Sequence, residues 1–316
     1  MDRRALLLSG LGKTDKVMEI GASYNPLVPK AEGWNVFIAD HDTRDGLLEK
    51  YGDHPGASRI EEVDYVWSDG DLSEAIPADQ HGTFDAFIAS HVIEHTTDVV
   101  SFLRSAQTVV SAGGAIILAV PDKRKCFDFY RPVSTTGDAI AAHRERRTRH
   151  NAKTQFDASV FCVSKGGHGW PIDDLRAPHL EHDFGAALDT LDLANSSEYV
   201  DAHNWIFTPA SFELMILELA ALGFLDMRVE FVAEAPAVEF HARLRKGRAH
   251  LSAEALKARR IELMNRTIME LAEQCRQIPG SRYLRMEQAL NKRVVLPRFL
   301  SRIIRNFLPR HRRSFA

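Results

Sequence analysis

Residues 84–124 read FDAFIASHVIEHTTDVVSFLRSAQTVVSAGGAIILAVPDKR, and this stretch decides the fold. FDAFIAS at 84–90 and AIILAV at 115–120 are short β-rich runs, each closed by a polar or turn-forming segment. Between them, apolar residues at 99, 100, 102, 103, 106, 109 and 110 make the i, i+3, i+4, i+7 stripe of an amphipathic helix over 98–111. Gly113 and Gly114 follow, where a helix C-terminus favours glycine. Strand, helix and strand in that order form a parallel crossover unit.

The pattern extends in both directions. Upstream, residues 16–21 (KVMEIG), 36–40 (VFIAD) and 60–64 (IEEVD) read as strands, with a helix over 44–51. Downstream, a helix over 211–222 precedes strand candidates at 226–233 and 238–244, separated by a turn containing Pro236 that makes the pair an antiparallel hairpin. The expected fold is α/β: a Rossmann-like, doubly wound, seven-stranded sheet whose last strand is antiparallel. Residues 122–208 carry many His, Arg, Asp and Gly with weak periodicity. They lie where a parallel sheet places substrate-binding insertions, at its C-terminal edge. The domain is expected over 14–246, with 122–208 as the insertion and 247–316 as a basic helical extension.

Composition narrows the class. The 316 residues are 45% hydrophobic and 26% charged, which rules out global disorder, collagen and coiled coil. No run approaches a membrane span, and the start is too short in apolar residues for a secretory signal, so a cytoplasmic protein is expected. Cys126, Cys162 and Cys275 suit neither a disulfide framework nor a metal pattern and are expected to be reduced. The net charge of −3 hides an asymmetry: residues 243–316 carry +14 and residues 1–242 carry −17.

The first strand runs into Glu19-Ile20-Gly21-Ala22-Ser23-Tyr24-Asn25-Pro26. A glycine directly after a buried strand lets the chain turn sharply and lets a ligand approach the backbone. The GxGxxG fingerprint is absent, and Pro26 and Pro29 disfavour the long helix whose N-terminus would hold a pyrophosphate, which argues against a phosphate-bearing cofactor. Asp40 lies about 20 residues beyond Gly21, the spacing at which a carboxylate accepts hydrogen bonds from ribose hydroxyls. Glu19, Asp40 and Asp64 at three strand ends suit a cationic nucleoside, a description S-adenosylmethionine fits. Other roles stay open: Gly21 as an ordinary turn glycine, Asp40 as a helix cap, and Asp69 or Asp71 in place of Asp64.

The strings VMEIGASYNPLVPK, VFIADHD and FDAFIASHVIEH, followed by SAGGAIILAVPDKR, resemble class I S-adenosylmethionine-dependent methyltransferases. The resemblance is nearest to a bacterial branch with EIGxSxNP and SHVIEH motifs, often met beside glycosyltransferases. It covers roughly residues 14–246. It implies that Glu19 and Gly21 contact the methionine end, Asp40 the ribose and Asp64 the adenine, with Ala22, Ser23, His41 and Tyr65 beside them. Ser90 and His91 would line the methyl-transfer site. Ser23 departs from the usual glycine of the motif and leaves the path of that loop open.

The chain has 14 histidines. An alcohol acceptor needs a base or a metal to ionise it. In one reading, a histidine is the base and Glu94 or Asp183 orients it. In another, His91, Glu94 and His95 join a histidine of the insertion around a divalent metal. HxxEH is similar to the ExxEH metal motif of small-RNA 2′-O-methyltransferases, with His91 replacing a glutamate and favouring a softer metal than Mg2+. In a third, Glu94 and His95 are structural. The base reading is preferred, with His91, His182 and His203 as catalytic candidates. The metal is not favoured.

Lys123, Arg124, Lys125, Arg131, Arg144, Arg146, Arg147 and Arg149, with Phe127, Phe129, Tyr130, Trp170 and Trp205, suit a sugar acceptor. The same aromatics also suit a small core of the insertion itself. Past Pro297, RFLSRIIRNFLPRHRR makes a basic amphipathic helix over 297–313, fit either for an anionic membrane surface or for docking on protein. The expected protein is therefore an O-methyltransferase of a sugar hydroxyl in a surface glycan or its precursor, cytoplasmic or peripheral on the inner face of the membrane, and capable of forming a homo-oligomer. The alternatives are methyl transfer to RNA ribose or a small molecule, metal-assisted or not, and a non-catalytic cofactor-binding scaffold. Nucleic acid is the less favoured partner.

Overall fold

A computed structural model describes residues 3–279 except 69, 194–198 and 237. The main sheet has seven strands: β1 (Val17–Ile20), β2 (Val36–Asp40), β3 (Tyr65–Val66), β4 (Phe84–Ser90), β5 (Val110–Pro121), β8 (Met227–Glu234) and β9 (Glu239–Lys246). A separate two-stranded ladder joins β6 (Val163–Ser164) to β7 (His179–Leu180). The main-sheet order is β3-β2-β1-β4-β5-β9-β8. β1 to β5 are parallel, and β9 runs antiparallel to both β5 and β8. The expected last hairpin is therefore present, with its final strand inside the sheet and β8 at the edge.

Both faces of the central strands are apolar, as a sheet covered on both sides requires. Successive residues alternate between two cores: Met18, Phe87 and Ile116 join one, Val17, Ile88 and Ile117 the other. The first core is closed by α3 (Val99–Val109) and α7 (Pro209–Ala221); Leu7, from the short α1 (Arg3–Leu7), joins the second. α2 (Arg44–Tyr51) follows β2.

Two boundaries differ from the sequence reading. Residues 60–64 do not form a strand; pairing begins only at Tyr65. Their carboxylates take backbone amides of distant segments: Glu61 accepts from Lys30 and Ala31, and Asp64 from Ile38. α3 also ends early, at Val109, and passes directly into β5. Gly114 serves close approach rather than a helix cap: a Cβ there would lie 2.9 Å from the Phe84 carbonyl oxygen on the neighbouring strand.

The insertion contains α4 (Thr136–Glu145), α5 (Ala152–Val160), the β6/β7 ladder and α6 (Phe184–Leu193). Phe129, Val163 and Trp170 form its own cluster, and Trp205 belongs to the main core. α8 (Ala253–Gln274) lies on α7 and pairs Arg259 with Glu213 and Arg260 with Glu218 (2.7 Å). At and just past its end, Gln274 and Gln277 are buried beneath the insertion and bond Lys123, the Phe129 carbonyl, Lys165 and Trp170. The beginning of the basic extension is thus built into the acidic body. The 297–313 segment lies outside the described residues. No helix among them is long and apolar enough to cross a membrane.

Candidate active site

A cavity of about 1540 Å3 opens at the C-terminal ends of β1, β2 and β4 and extends to the insertion. Its first half is built on β1 and β2. Gly21 has φ +65°, and a Cβ there would meet Val92 Cγ2 at 2.8 Å, so the turn and the packing both require glycine. Ser23 is also left-handed, at φ +42°. Its N–H donates to Asp40 Oδ2 (3.0 Å), and Asp40 Oδ1 accepts from the His41 amide and from His41 Nδ1, each at 2.8 Å. The β2 carboxylate therefore shapes the β1 loop. The Ser23 hydroxyl is buried in this wall and has no hydrogen-bond partner among the described residues.

Glu19 borders the cavity, but its carboxylate turns to the chain, accepting from the Leu27 (2.6 Å) and Val28 (3.1 Å) amides. Burial pushes its carboxyl up to about 7, against the pull of those two amides. Its role is to hold the 22–28 loop over the site. Ala22 is buried in the same loop.

Asp64 and Tyr65 are not in the cavity wall, a correction to the adenine assignment. Asp64 is occupied by the Ile38 amide (2.7 Å) and Lys30 Nζ (2.6 Å), and Tyr65 packs on Phe37. Trp67 and Asp71 take that side instead. Trp67 stacks on Phe102 with centroids 6.0 Å apart, and Asp71 accepts from Ser73 and Ser105. Asp71 was visible in the sequence as an alternative. Trp67 was missed, although an aromatic three residues past a strand-end carboxylate could have marked it.

The second half begins where β4 ends. Ser90 Oγ accepts from Arg3 (2.7 Å), and His91 follows with φ +56°, a conformation costing a non-glycine residue roughly 1–2 kcal/mol. Its Nε2 is 2.7 Å from Glu239 Oε2 on β9. Glu239 also accepts from Arg3 (2.6 Å) and His241 (2.6 Å). Burial alone would raise its carboxyl; His241, His91 and Arg3 together hold it well below the ordinary carboxylate range. This carboxylate therefore accepts the Nε2 proton of His91 and leaves Nδ1 as the basic nitrogen.

His91 Nδ1 faces Glu94, 3.6 Å away. Glu94 is 0% exposed, and neither carboxylate oxygen accepts a hydrogen bond. His95 Nε2 stands 3.7 Å and His203 Nε2 3.9 Å from the same Glu94 oxygen. The other nitrogen of each ring is engaged: His95 Nδ1 with Asp201 (2.8 Å), His203 Nδ1 with Asp128 (2.5 Å). Burial would lower His95; the Asp201 and Glu94 carboxylates outweigh it and hold the imidazole above its ordinary value. Burial would raise Asp128; His203 and Arg131 hold it low.

Of the three catalytic candidates, the fold unites two. His91 lines the cavity and His203 backs Glu94, whereas His182 is exposed and outside the cavity wall, a correction to its placement in the site. Its neighbour Asp183 caps α6. Lys123, Arg124 and Lys125 are also not ligand-facing. They are buried, with Arg124 forked onto Asp122 (2.6 and 2.9 Å) and Lys125 Nζ on the Ala235 and Glu239 carbonyls. Arg131 is bound to Asp128. Phe129, Trp170 and Trp205 are core residues. The far side of the cavity is instead lined by Arg104, His143, Arg146, Arg147, Tyr199 and Asp201.

The parallel run of strands with an inserted antiparallel β9, and a carboxylate at the tip of β2 facing the cavity, fit one fold family. Residues 47–118, from α2 into β5, match the family profile described as a methyltransferase domain. That match and the sheet order support a class I S-adenosylmethionine-dependent methyltransferase. None of the curated proteins matches it in sequence. Among solved structures, a protein named as a Zn-dependent alcohol dehydrogenase from Rhodobacter sphaeroides is 17% identical at a TM-score of 0.43, covering 79% of this chain and 91% of that one. The CcbJ methyltransferase from Streptomyces caelestis is 14% identical at 0.39, covering 77% and 94%. An S-adenosylmethionine dependent methyltransferase from Mesorhizobium loti is 12% identical at 0.40, covering 77% and 96%. Likeness at this level says nothing of this methyltransferase's acceptor. S-adenosylmethionine fits the first half of the cavity on its own residues: the orphaned Ser23 hydroxyl offers a hydrogen bond, and the buried Asp40 carboxylate suits a ribose.

Proposed function

We propose that this methyltransferase modifies a sugar hydroxyl of a surface glycan or glycan precursor, with His91 as general base. The observation that carries the reading is the His91–Glu239 pair at the junction of the two cavity halves, 2.7 Å between Nε2 and Oε2. Asp40, the Ser23 loop and Trp67 would hold S-adenosylmethionine. When bound, that cofactor supplies an electrophilic methyl whose bonding pair stays on sulfur as the new C–O bond forms. His91 Nδ1 accepts the hydroxyl proton, and Glu239 stabilises the resulting imidazolium. Arg3, bonded to both Ser90 and Glu239, fixes that carboxylate against His91. Arg104, Arg146 and Arg147, with His143, Tyr199 and Asp201, supply the hydrogen-bonding and cationic wall that a polyhydroxylated, anionic acceptor needs.

Two experiments test this. Labelled methyl transfer into glycan, RNA and small-molecule fractions of a lysate should favour glycan; label confined to RNA would sink the acceptor assignment. His91→Asn keeps a residue that tolerates the left-handed backbone and removes the base. It should lower kcat by about 10²–10⁴-fold with S-adenosylmethionine affinity unchanged by calorimetry.

A further inference from the structure

Glu94, at the centre of the histidine cluster, is the most anomalous polar group in the described structure. A buried, ionised carboxylate without a hydrogen bond is strongly unfavourable unless a cation meets it. Among the described residues, no lysine or arginine does. Three imidazole nitrogens face one of its oxygens at 3.6, 3.7 and 3.9 Å, too long for hydrogen bonds. They are within a few tenths of an ångström of the ~3.4 Å between neighbouring ligand atoms on a tetrahedral ion with bonds of about 2.0–2.1 Å.

The outer shell points the same way. Metal-bound histidines donate their second ring nitrogen to a carboxylate, which fixes the tautomer and aims the first. His95 has Asp201 in that position and His203 has Asp128. Two elements distant in the chain are locked together to bring this about: the Glu94 carbonyl accepts from the amides of Asn204 (2.7 Å) and Trp205 (3.1 Å), immediately after His203. The ligand atoms of Glu94, His95 and His203 all lie within 4.8 Å of one another. His95 also borders the cavity, which gives an ion its route in.

We propose that Glu94, His95 and His203 bind a divalent transition-metal ion of the zinc class, with its open side toward His91 and the cavity. Two imidazoles and one carboxylate select such an ion over Mg2+ or Ca2+, which prefer all-oxygen shells. Three protein ligands with a vacant position are the pattern of a catalytic rather than a structural site. Resting on the methyl-transfer reading of the cavity, the ion holds the acceptor hydroxyl and lowers its pKa, and His91 takes the proton.

The test separates the site from that reading because it needs neither cofactor nor turnover. The full chain, stripped with EDTA, is titrated with ZnCl2 by calorimetry and with CoCl2 by visible absorption. One equivalent should bind, with Co2+ ligand-field bands of four- or five-coordinate strength. Glu94→Gln and the more conservative His203→Gln, whose amide can still donate to Asp128, should each weaken binding at least 100-fold. His182→Ala should bind as the parent does. Circular dichroism confirms that each variant is folded, and a melting temperature that rises with Zn2+ in the parent but not in the variants gives a second readout. Absence of binding by the folded parent, or binding that both variants retain, overturns the proposal. S-adenosylmethionine titration of the same samples reports on the methyltransferase reading independently.

Discussion

The two halves of the cavity handle charge in opposite ways. In the cofactor half, the acidic side chains at the ends of β1 and β2 spend themselves on backbone amides: Glu19 on Leu27 and Val28, Asp40 on Ser23 and His41. In the acceptor half, Glu94 receives no hydrogen bond while three histidines are aimed at it. The first arrangement makes a rigid cradle from local sequence. The second holds unspent charge in place and assembles it from residues 91–95, 128, 201–203 and 239. Preorganised polar groups without internal partners are what a reacting centre requires.

The contrast is sharpest against a charge that lies outside the cavity and is fully paired: Arg124 is buried on Asp122, with Glu234 and Glu273 beyond. Arg124→Ala should cost about 3–5 kcal/mol in urea unfolding by stranding the Asp122 carboxylate. A loss below about 1 kcal/mol would mean that this triad is not part of the framework.

The cofactor half can be probed through Glu19, whose carboxyl is raised to about 7 by burial. In the native state it keeps its proton up to that pH, while the unfolded chain releases it near 4.5. The stabilisation is therefore present below about 4.5 and lost as pH rises through 7, amounting to about 3 kcal/mol. The difference in unfolding free energy between the parent and Glu19→Gln should change by this amount between pH 4.5 and pH 8, with the parent losing ground. A flat difference would show that the two amide bonds, rather than burial, govern Glu19.

Gly21→Ala should have the smallest effect on stability, roughly 1–2 kcal/mol for a left-handed alanine, plus displacement of Val92 from the 2.8 Å approach. Because Gly21 itself lies in the cavity wall at the turn after β1, the variant should also lower S-adenosylmethionine affinity. Unchanged calorimetric affinity would separate the turn from the site and blur the boundary between the halves.

What the sequence made legible follows the same division. The β1, β2 and β4 strands, the final hairpin, Gly21, Asp40 and the Ser90–His91 end of β4 could be read because each is a local pattern of apolar period and turn chemistry. The 60–64 strand failed because Glu61 and Asp64 take amides of distant segments, which hydropathy does not register. His182 and His203 looked equivalent in the sequence; only the pairing of Glu94 with Asn204 and Trp205 distinguishes them. Lys123, Arg124 and Lys125 looked suited to a sugar acceptor because their partners, Asp122 excepted, come from residues 129–277. Spacing identifies what neighbours do, and it is silent on contacts closed by the tertiary fold.

The position of β9 bears on how the molecule comes into being. Residues 115–121 of β5 pair with residues 239–245, so one edge of the sheet stays open during synthesis until the whole insertion, α7 and β8 have been made. Such distant pairing raises contact order, slows folding and leaves an apolar strand edge exposed to aggregation in the meantime. Glu239 arrives on that same final strand. A nascent chain can shape its cofactor cradle early, yet His91 acquires its carboxylate only when the sheet is sealed, so competence for chemistry is tied to completion of the fold.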